Sequence, residues 1–558
     1  MTDEAGRCTL VFYGEIYNHA DLRRELEAQG ERFATGSDTE TILRGYLRWG
    51  RGVLDRLEGM YAFALVDRAR GQALVARDPY GIKPLYVARA GDTLAFASEM
   101  RCLTRLVPPQ VDEAALAELL TFGWAAGSLS NLKGIERVPG GTCYTVDLAT
   151  AGAAPERFLD VTTLLAERRD MTPAQAEELV AEALDRSVRQ HLMSDVGYAL
   201  QLSGGVDSSL VAAIAGSHTD WPISSFSVDI GDHPLNERPW RDEVVARYGL
   251  VHHELALGGR DFADAFESCV WHMEGPVPHL GCVMIRLVCR AVRQASKVVL
   301  TGEGADEMFG GYERYALWRR LRLQEALARW IPESLLPARP PFLGIRRHKG
   351  VDGPAYASVY ADFNALHRMF PALVPGPGAR EAASASQRDF VDRIFAVDQT
   401  SYLESLLVRQ DKMAMAESVE ARVPFVHLPL ARLLDAVPRS IMAPGRVTKP
   451  LLKKVAERFL SRGLLYRRKN GLLLPYAEWL QDPAGLGRYL EFLEDPGCRL
   501  AAYGDRGAVA RIADKARRGV DDNESRLAMR LVNLELWLRT LDNLTTGPAE
   551  RRGDGTWS

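Results

Sequence analysis

The run Leu202-Ser203-Gly204-Gly205-Val206-Asp207-Ser208-Ser209 gathers the glycines and small polar side chains that hold phosphates. A Gly-rich turn that opens a helix lets backbone N–H groups approach an anion, and the positive end of the helix dipole adds to their pull. The hydroxyls of Ser203, Ser208 and Ser209 are further donors, and Asp207 offers a carboxylate suited to a hard divalent cation. An ordinary tight turn between strand and helix would need only Gly204 and Gly205, leaving the surrounding polar groups without a purpose. The run is neither a Walker A loop, which needs Gly-Lys-Ser/Thr, nor a dinucleotide Gly-x-Gly-x-x-Gly fingerprint. A second run, Thr301-Gly302-Glu303-Gly304-Ala305-Asp306-Glu307, directly follows the apolar Val298-Val299-Leu300 and leads into Met308-Phe309-Gly310-Gly311-Tyr312. Its glycines and carboxylates, coming straight after an apolar strand, are hard to explain as packing or as a plain acidic turn. Taken with the first run, it supplies Asp207 and Asp306 as candidate Mg2+ ligands facing one triphosphate.

Both loops need strands to aim them. Val196 to Gln201 reads as a buried strand before the first loop, and Leu210 to Ala215 as a helix after it. Ile223–Ile230, Trp240–Tyr248 and Lys297–Leu300 continue an alternation of strands and helices. That alternation argues for a parallel sheet wound on both faces, with ligand at the carboxyl ends of the strands. Thr172 to Leu192 is an amphipathic helix that opens on Thr172-Pro173. Upstream, strand-like runs at Leu10–Phe12, Met60–Val66, Ala73–Ala76, Leu85–Val87, Leu94–Phe96 and Cys143–Val146 accompany helices over His19–Gly30 and Thr41–Gly50. Their short connections indicate antiparallel pairs. The expected division is a first domain over 1–147, a linker over 148–171 whose Ala/Gly-rich start is Leu148–Pro155, a second domain over 172–545, and a flexible tail over 546–558.

At 558 residues, with a net charge of −4, 47% hydrophobic and 25% charged residues, the chain is an ordinary globular one and not a general nucleic-acid binder. The basic clusters Arg319-Arg320-Leu321-Arg322 and Arg346-Arg347-His348-Lys349 are short and read as solvated faces. No apolar run is long enough to span a bilayer, and the acidic start Met1-Thr2-Asp3-Glu4 is unlike a signal peptide. Seven scattered cysteines without a Cys-x-x-Cys pair fit reduced thiols, and the expected location is the cytoplasm.

The loop Ser203–Ser209 resembles the pyrophosphate-binding loop of N-type ATP pyrophosphatases, which split ATP into AMP and pyrophosphate. Both loops together resemble the synthetase domain of asparagine synthetases. That likeness continues through Val251-His252-His253-Glu254, Glu274-Gly275-Pro276, Asp411–Ala416, Glu420–Phe425, Thr448–Lys454 and Arg467-Arg468-Lys469-Asn470-Gly471. Where the family continues Val-Pro-Phe with Leu-Asp, this chain has Val426-His427. The resemblance implies that Leu202 and Val228 hold adenine and ribose through backbone groups, and that Thr301 and Gly302 contact ATP. It places Glu303 at the acceptor carboxylate and Lys449 on the α-phosphate and departing pyrophosphate. A compact ammonium suits a transition state that gathers negative charge, although pattern alone would make Lys449 a surface residue of a basic helix.

Gly14-Glu15-Ile16-Tyr17-Asn18, Gly36-Ser37-Asp38, Arg77-Asp78 with Gly81–Tyr86, and Ala97-Ser98-Glu99-Met100 resemble a class II glutamine amidotransferase domain. The fold class expected is therefore α/β: an incomplete Ntn-hydrolase-type αββα domain, then the doubly wound pyrophosphatase domain. In that family an N-terminal cysteine attacks glutamine with its own α-amino group as base. By the resemblance this chain begins past that cysteine, and Cys8 has no free amine beside it. Position 13, where the family has an asparagine in its oxyanion hole, is Tyr13. Gly14, Glu15 and Asp38 remain as the glutamine-binding set. Two readings stand: a start internal to a longer gene product, or a loss of glutaminase. On either, the expectation is that the chain as written should not hydrolyse glutamine.

The leading expectation is an ATP- and Mg2+-dependent ligase that adenylates a carboxylate, aspartate by the resemblance, and transfers ammonia with release of AMP and pyrophosphate. In the family glutamine supplies that ammonia. The runner-up is an intramolecular amide-forming ligase of the β-lactam synthetase type or an amidotransferase of a secondary-metabolite or surface-sugar pathway. β-Lactam synthetases carry a tyrosine at the place of Glu303. A non-catalytic scaffold is opposed by the costly polar cluster Asp207, Glu303, Asp306 and Lys449. No nucleic-acid or membrane partner is expected, and a homodimer is left open.

Overall fold

The computed structural model describes residues 1–165, 168–231, 233–234, 236–335, 352–357, 363–468, 474–519 and 522–544. The basic cluster Arg346–Lys349, the residues Lys469-Asn470-Gly471 and the tail 546–558 lie outside the described residues. In chain order the strands are β1 (Cys8–Ile16), β2 (Gly59–Asp67), β3 (Gln72–Arg77), β4 (Tyr86–Ala90), β5 (Thr93–Ala97), β6 (Ile135–Arg137) and β7 (Thr142–Asp147), then β8 (Pro155–Arg157), β9 (Ala199–Gln201), β10 (Ser224–Asp229), β11 (Val251–Ala256), β12 (Val298–Leu300) and β13 (Glu420–Arg422).

The N-terminal half stacks a five-stranded sheet, β1-β2-β3-β7-β8, on a three-stranded one, β5-β4-β6. Period-two alternation along β2 builds the layers. Tyr61, Phe63 and Leu65 pack with Leu22, Ile42, Leu43 and Tyr46 of helices His19–Ala28 and Asp38–Trp49. Ala62, Ala64 and Val66 face Leu85, Val87 and Phe96 of the small sheet. That sheet's other face, with Tyr86 and Ala88, joins helix Glu113–Phe122 in the core of the C-terminal half. The outcome is an αββα layer order.

In the C-terminal half every neighbouring pair of the sheet β11-β10-β9-β12-β13 is parallel. From β9 the chain moves out through β10 and β11 on one side, and β12 with β13 fills the other. The order reverses beside β9, so the loops after β9 and β12 flank the switch point where such sheets bind ligands.

Several boundaries differ from the sequence reading, each for a tertiary reason. The strand expected over Leu10–Phe12 runs on through Gly14-Glu15-Ile16, because β2 pairs with it from Cys8↔Asp67 to Ile16↔Gly59. The second helix begins at Asp38 instead of Thr41, since the Ser37 hydroxyl accepts the Thr39 N–H (3.1 Å). β9 is only Ala199–Gln201, and Val196 is exposed. The helix after it begins at Val206, four positions before the apolar run at Leu210. Within 148–171, β8 pairs with β7 and Val161–Leu164 is a helical turn. All seven cysteines are free, and Cys102 alone among them is exposed. No helix among the described residues is long and apolar enough to cross a membrane.

The halves meet across buried polar groups. Tyr17 packs against His191 with its ring tilted by 35° and the centroids 3.9 Å apart, and the His427 ring lies 5.7 Å from that of His191. Burial, reinforced by His427, holds His191 well below the usual histidine range. The sign of the resulting pH dependence is fixed. Below about pH 6.5 the unfolded chain takes up a proton that native His191 refuses, so stability present above that pH is lost on acidification, by about 1.4 kcal/mol per pH unit. Melting temperatures measured from pH 7.5 down to 5 should fall, and less steeply in His191→Gln. An unchanged slope in that variant would remove His191 as the cause.

Candidate active site

The first loop is tied to the sheet by Leu202, whose N–H donates to the Phe226 carbonyl (2.9 Å). Gly205 opens helix Val206–Ser217 without a side-chain cap, leaving the first N–H groups of the helix for an anion. The Ser203 and Ser208 hydroxyls lie 3.0 Å apart, and Ser203 accepts the Gly205 N–H (3.2 Å). The Ser209 hydroxyl is buried without a hydrogen-bond partner among the described residues. Across the switch point the Thr301 hydroxyl accepts the Glu303 N–H (3.1 Å), which shapes the second loop. The loops touch at Gly302, where a Cβ would stand 2.6 Å from the Ser208 nitrogen. Only glycine permits that approach.

Lys449 closes the arrangement from a third segment. Its backbone is left-handed, with φ of 50°, just ahead of helix Pro450–Ala456. Its ammonium lies 2.6 Å from Asp207 Oδ1 and 2.8 Å from Asp306 Oδ1. Burial opposes this charge, but Asp207 and then Asp306 outweigh it and hold the ammonium above the usual lysine range. Gly311 leaves room for the contact, since a Cβ there would stand 1.8 Å from Asp306 Oδ1 and 2.2 Å from Lys449 Cε.

Glu303 faces Arg409 of helix Leu403–Met415, Nη2 to Oε2 at 2.7 Å. Burial works against the Arg409 charge, and the Glu303 carboxylate more than restores it. Behind them burial, with Asp306 and Glu303, pushes the Glu307 carboxyl up to about 8; its Oε1 accepts the Tyr312 hydroxyl. Glu303 and Arg409 border a cavity of about 310 Å³ at the ends of β9, β10 and β12. Leu202, Ser203, Gly205, Val206, Asp207, Ser208, Val228, Thr301, Gly302, Glu303, Asp306 and Lys449 all line it, whereas Gly204 and Ser209 do not.

The donor set fits a magnesium ion. Among the described residues no group of three or more His, Cys, Asp or Glu side chains is placed to hold a metal. Asp207 and Asp306 nevertheless already share one cation, the Lys449 ammonium. Magnesium is commonly held by one or two carboxylates and completes its shell with water and substrate phosphates.

The residues expected to bind glutamine, Gly14, Glu15 and Asp38, stand apart, on β1 and the helix beside it. Asp38 Oδ2 accepts the Ile16 N–H (3.1 Å), and Glu15 pairs with Arg422 (2.9 Å). Burial outweighs Arg422 there and pushes the Glu15 carboxyl up to about 7. Gly14 is pressed on β2, where a Cβ would stand 2.0 Å from the Met60 carbonyl oxygen. Tyr13 donates its hydroxyl to Asp411 Oδ2 (2.7 Å).

The sequence assigns no site role to Arg409, Gln201, Gln410, Lys453 or Arg467, all of which line the cavity. Signals existed for three of them: Lys453 and Arg467 fall inside segments that carry the family resemblance, and Arg409 sits two residues before the Asp411-Lys412 motif, on the same helix.

The family model described as asparagine synthase matches residues 179–539, and that described as a glutamine amidotransferase domain matches residues 1–158. Proteins of Mycobacterium bovis and Mycobacterium tuberculosis named "Putative asparagine synthetase", glutamine-hydrolyzing, are each 32% identical over 95% of this chain and 84% of their own. A glutamine-hydrolyzing asparagine synthetase 1 of Bacillus subtilis is 28% identical over 85% of this chain and 77% of its own.

Proposed function

This chain belongs to the asparagine synthase family and is a carbon–nitrogen ligase of that type, and from this premise we propose that it activates aspartate with ATP and joins ammonia to it. The observation that carries the reading is the Lys449 ammonium bridging Asp207 and Asp306, from two strand-end loops, on the cavity that Glu303 also lines. The first loop and the helix behind it supply N–H and hydroxyl donors for phosphates. Asp207 and Asp306 would hold Mg2+, which when bound neutralises phosphate charge.

A carboxylate oxygen of the acceptor attacks the α-phosphorus, and the bond from that phosphorus to the bridging oxygen breaks to release pyrophosphate. Lys449 stabilises the negative charge that builds up there, where its mobile ammonium can follow the departing group. Ammonia then attacks the activated carbonyl, AMP leaves, and the nitrogen sheds a proton. Glu303, held by Arg409, is the carboxylate available to receive it and to orient the attacking amine. This engaged glutamate supports attack by an external amine over ring closure, for which the resemblance expects a tyrosine. Tyr13, whose hydroxyl is committed to Asp411, supports ammonia over glutamine as the donor to this chain.

The test is incubation with MgATP, ammonium chloride and aspartate, with other carboxylates in parallel, following pyrophosphate, AMP and the amide product. Asparagine, AMP and pyrophosphate in equal amounts are expected. Release of ADP and phosphate, or no turnover with any carboxylate, would sink the reading.

A further inference from the structure

Helix Leu403–Met415 is buried along nearly its whole length, from Leu403 to Ala414, yet carries Glu404, Arg409, Asp411 and Lys412. Charges on a helix without a wet face must be paired, and the partners here come from both halves of the molecule. Glu404 takes Arg77 (2.7 Å) and Arg137 (3.2 Å), and Asp411 takes the Lys83 ammonium (2.7 Å) and the Tyr13 hydroxyl (2.7 Å). All four donors belong to the N-terminal half. Between them in sequence, Arg409 points the other way, to Glu303 (2.7 Å), and Gln410 reaches Gln201 at the end of β9 (3.4 Å).

We propose that Tyr13 and Lys83 are positioning residues for the amide-forming site, acting through Asp411 to hold Arg409 against Glu303. The inference rests on the ligase reading given above. Its physical basis is the stiffness of one helical turn. Successive residues rise about 1.5 Å and turn about 100°, so Arg409 and Asp411 move as one rigid piece. Hydrogen bonds tolerate a few tenths of an ångström. Two bonds on Asp411 therefore limit how far the helix can slide or roll, and with it how far the Arg409 guanidinium can leave Glu303. Tyr13 serves this twice, since its ring also lies 4.5 Å from the Lys83 ammonium. Burial and the neighbouring Asp411 keep its phenol protonated, so it remains a donor.

The deciding variant is Tyr13→Phe in the full chain, which keeps the ring over Lys83 and removes one O–H. With aspartate and ammonia, kcat should fall about 10-fold or more, as expected for a misplaced catalytic group, with KM for ATP essentially unchanged. Asp411→Asn should give the same split. Amide hydrogen exchange read on the same proteins should quicken over 403–415 and 301–307 and stay unchanged over 522–540. A lower melting temperature with kcat intact would overturn the proposal, leaving the Tyr13 contact a structural tie. If the parent turns over no carboxylate, the ligase reading fails by itself. The exchange data then decide: no quickening over 403–415 in Tyr13→Phe overturns the inference.

Discussion

Glu303→Gln should lower amide formation about 100- to 1,000-fold, the range seen when one preorganised polar group of a reaction centre is removed. The substitution keeps the shape and an acceptor oxygen for Arg409 but deletes the negative charge and the ability to take a proton. Arg409 is buried, so part of the damage could be to folding, and the two must be separated. Breaking a buried ion pair outright costs about 3–5 kcal/mol, and the retained amide oxygen reduces that figure. Adding Arg409→Met to Glu303→Gln removes the stranded cation. The double variant should regain melting temperature and should not regain rate. Recovery of rate in the double variant, or a rate loss under about tenfold in the single one, would take Glu303 out of the chemistry.

Lys449→Met should cost a comparable factor in rate, about 100- to 1,000-fold, through loss of the charge that meets the departing pyrophosphate. It has a second effect that needs no substrate. In the parent the ammonium holds the Asp207 and Asp306 carboxylates together, so an added divalent ion competes with a cation already in place. Methionine leaves two unneutralised carboxylates in the same pocket. Without Mg2+ the variant should melt lower than the parent, and Mg2+ should raise its stability by the larger increment. That increment is about 1.4 kcal/mol at ten times the dissociation constant. A magnesium-induced shift no larger than the parent's would mean that these carboxylates are not where the ion binds.

The parts of the site that could be read in advance are those whose chemistry is local. The loops Leu202–Ser209 and Thr301–Glu307 carry their glycines and polar groups consecutively, each behind a short apolar strand. The α/β class and the parallel order of the second sheet followed from alternation alone. The pairing of Arg409 could not be read: its place beside the Asp411-Lys412 motif marks the residue, but Glu303 lies 106 positions away and nothing near Arg409 in sequence names that partner. β13 was likewise invisible as a strand: Glu420–Arg422 pairs only with β12, more than a hundred residues upstream. The extension of β1 through Ile16 was supplied by β2. Gly14 looked like a residue for substrate, yet its contact with the Met60 carbonyl gives it a packing reason of its own.

The pairing of Glu404 and Asp411 with the N-terminal half also decides where proteins of this kind can be recombined. A hybrid joined where the glutamine amidotransferase match ends, at residue 158, would look modular by sequence. It would nonetheless separate Arg77, Arg137 and Lys83 from the two carboxylates they neutralise, and Tyr13 from the one it donates to, replacing matched buried pairs with whatever the new partner presents. The unit of exchange is therefore discontinuous. An N-terminal domain taken from a relative must bring its own Leu403–Met415 helix with it, and a donor chosen by overall similarity will fail where one chosen by these few charges succeeds.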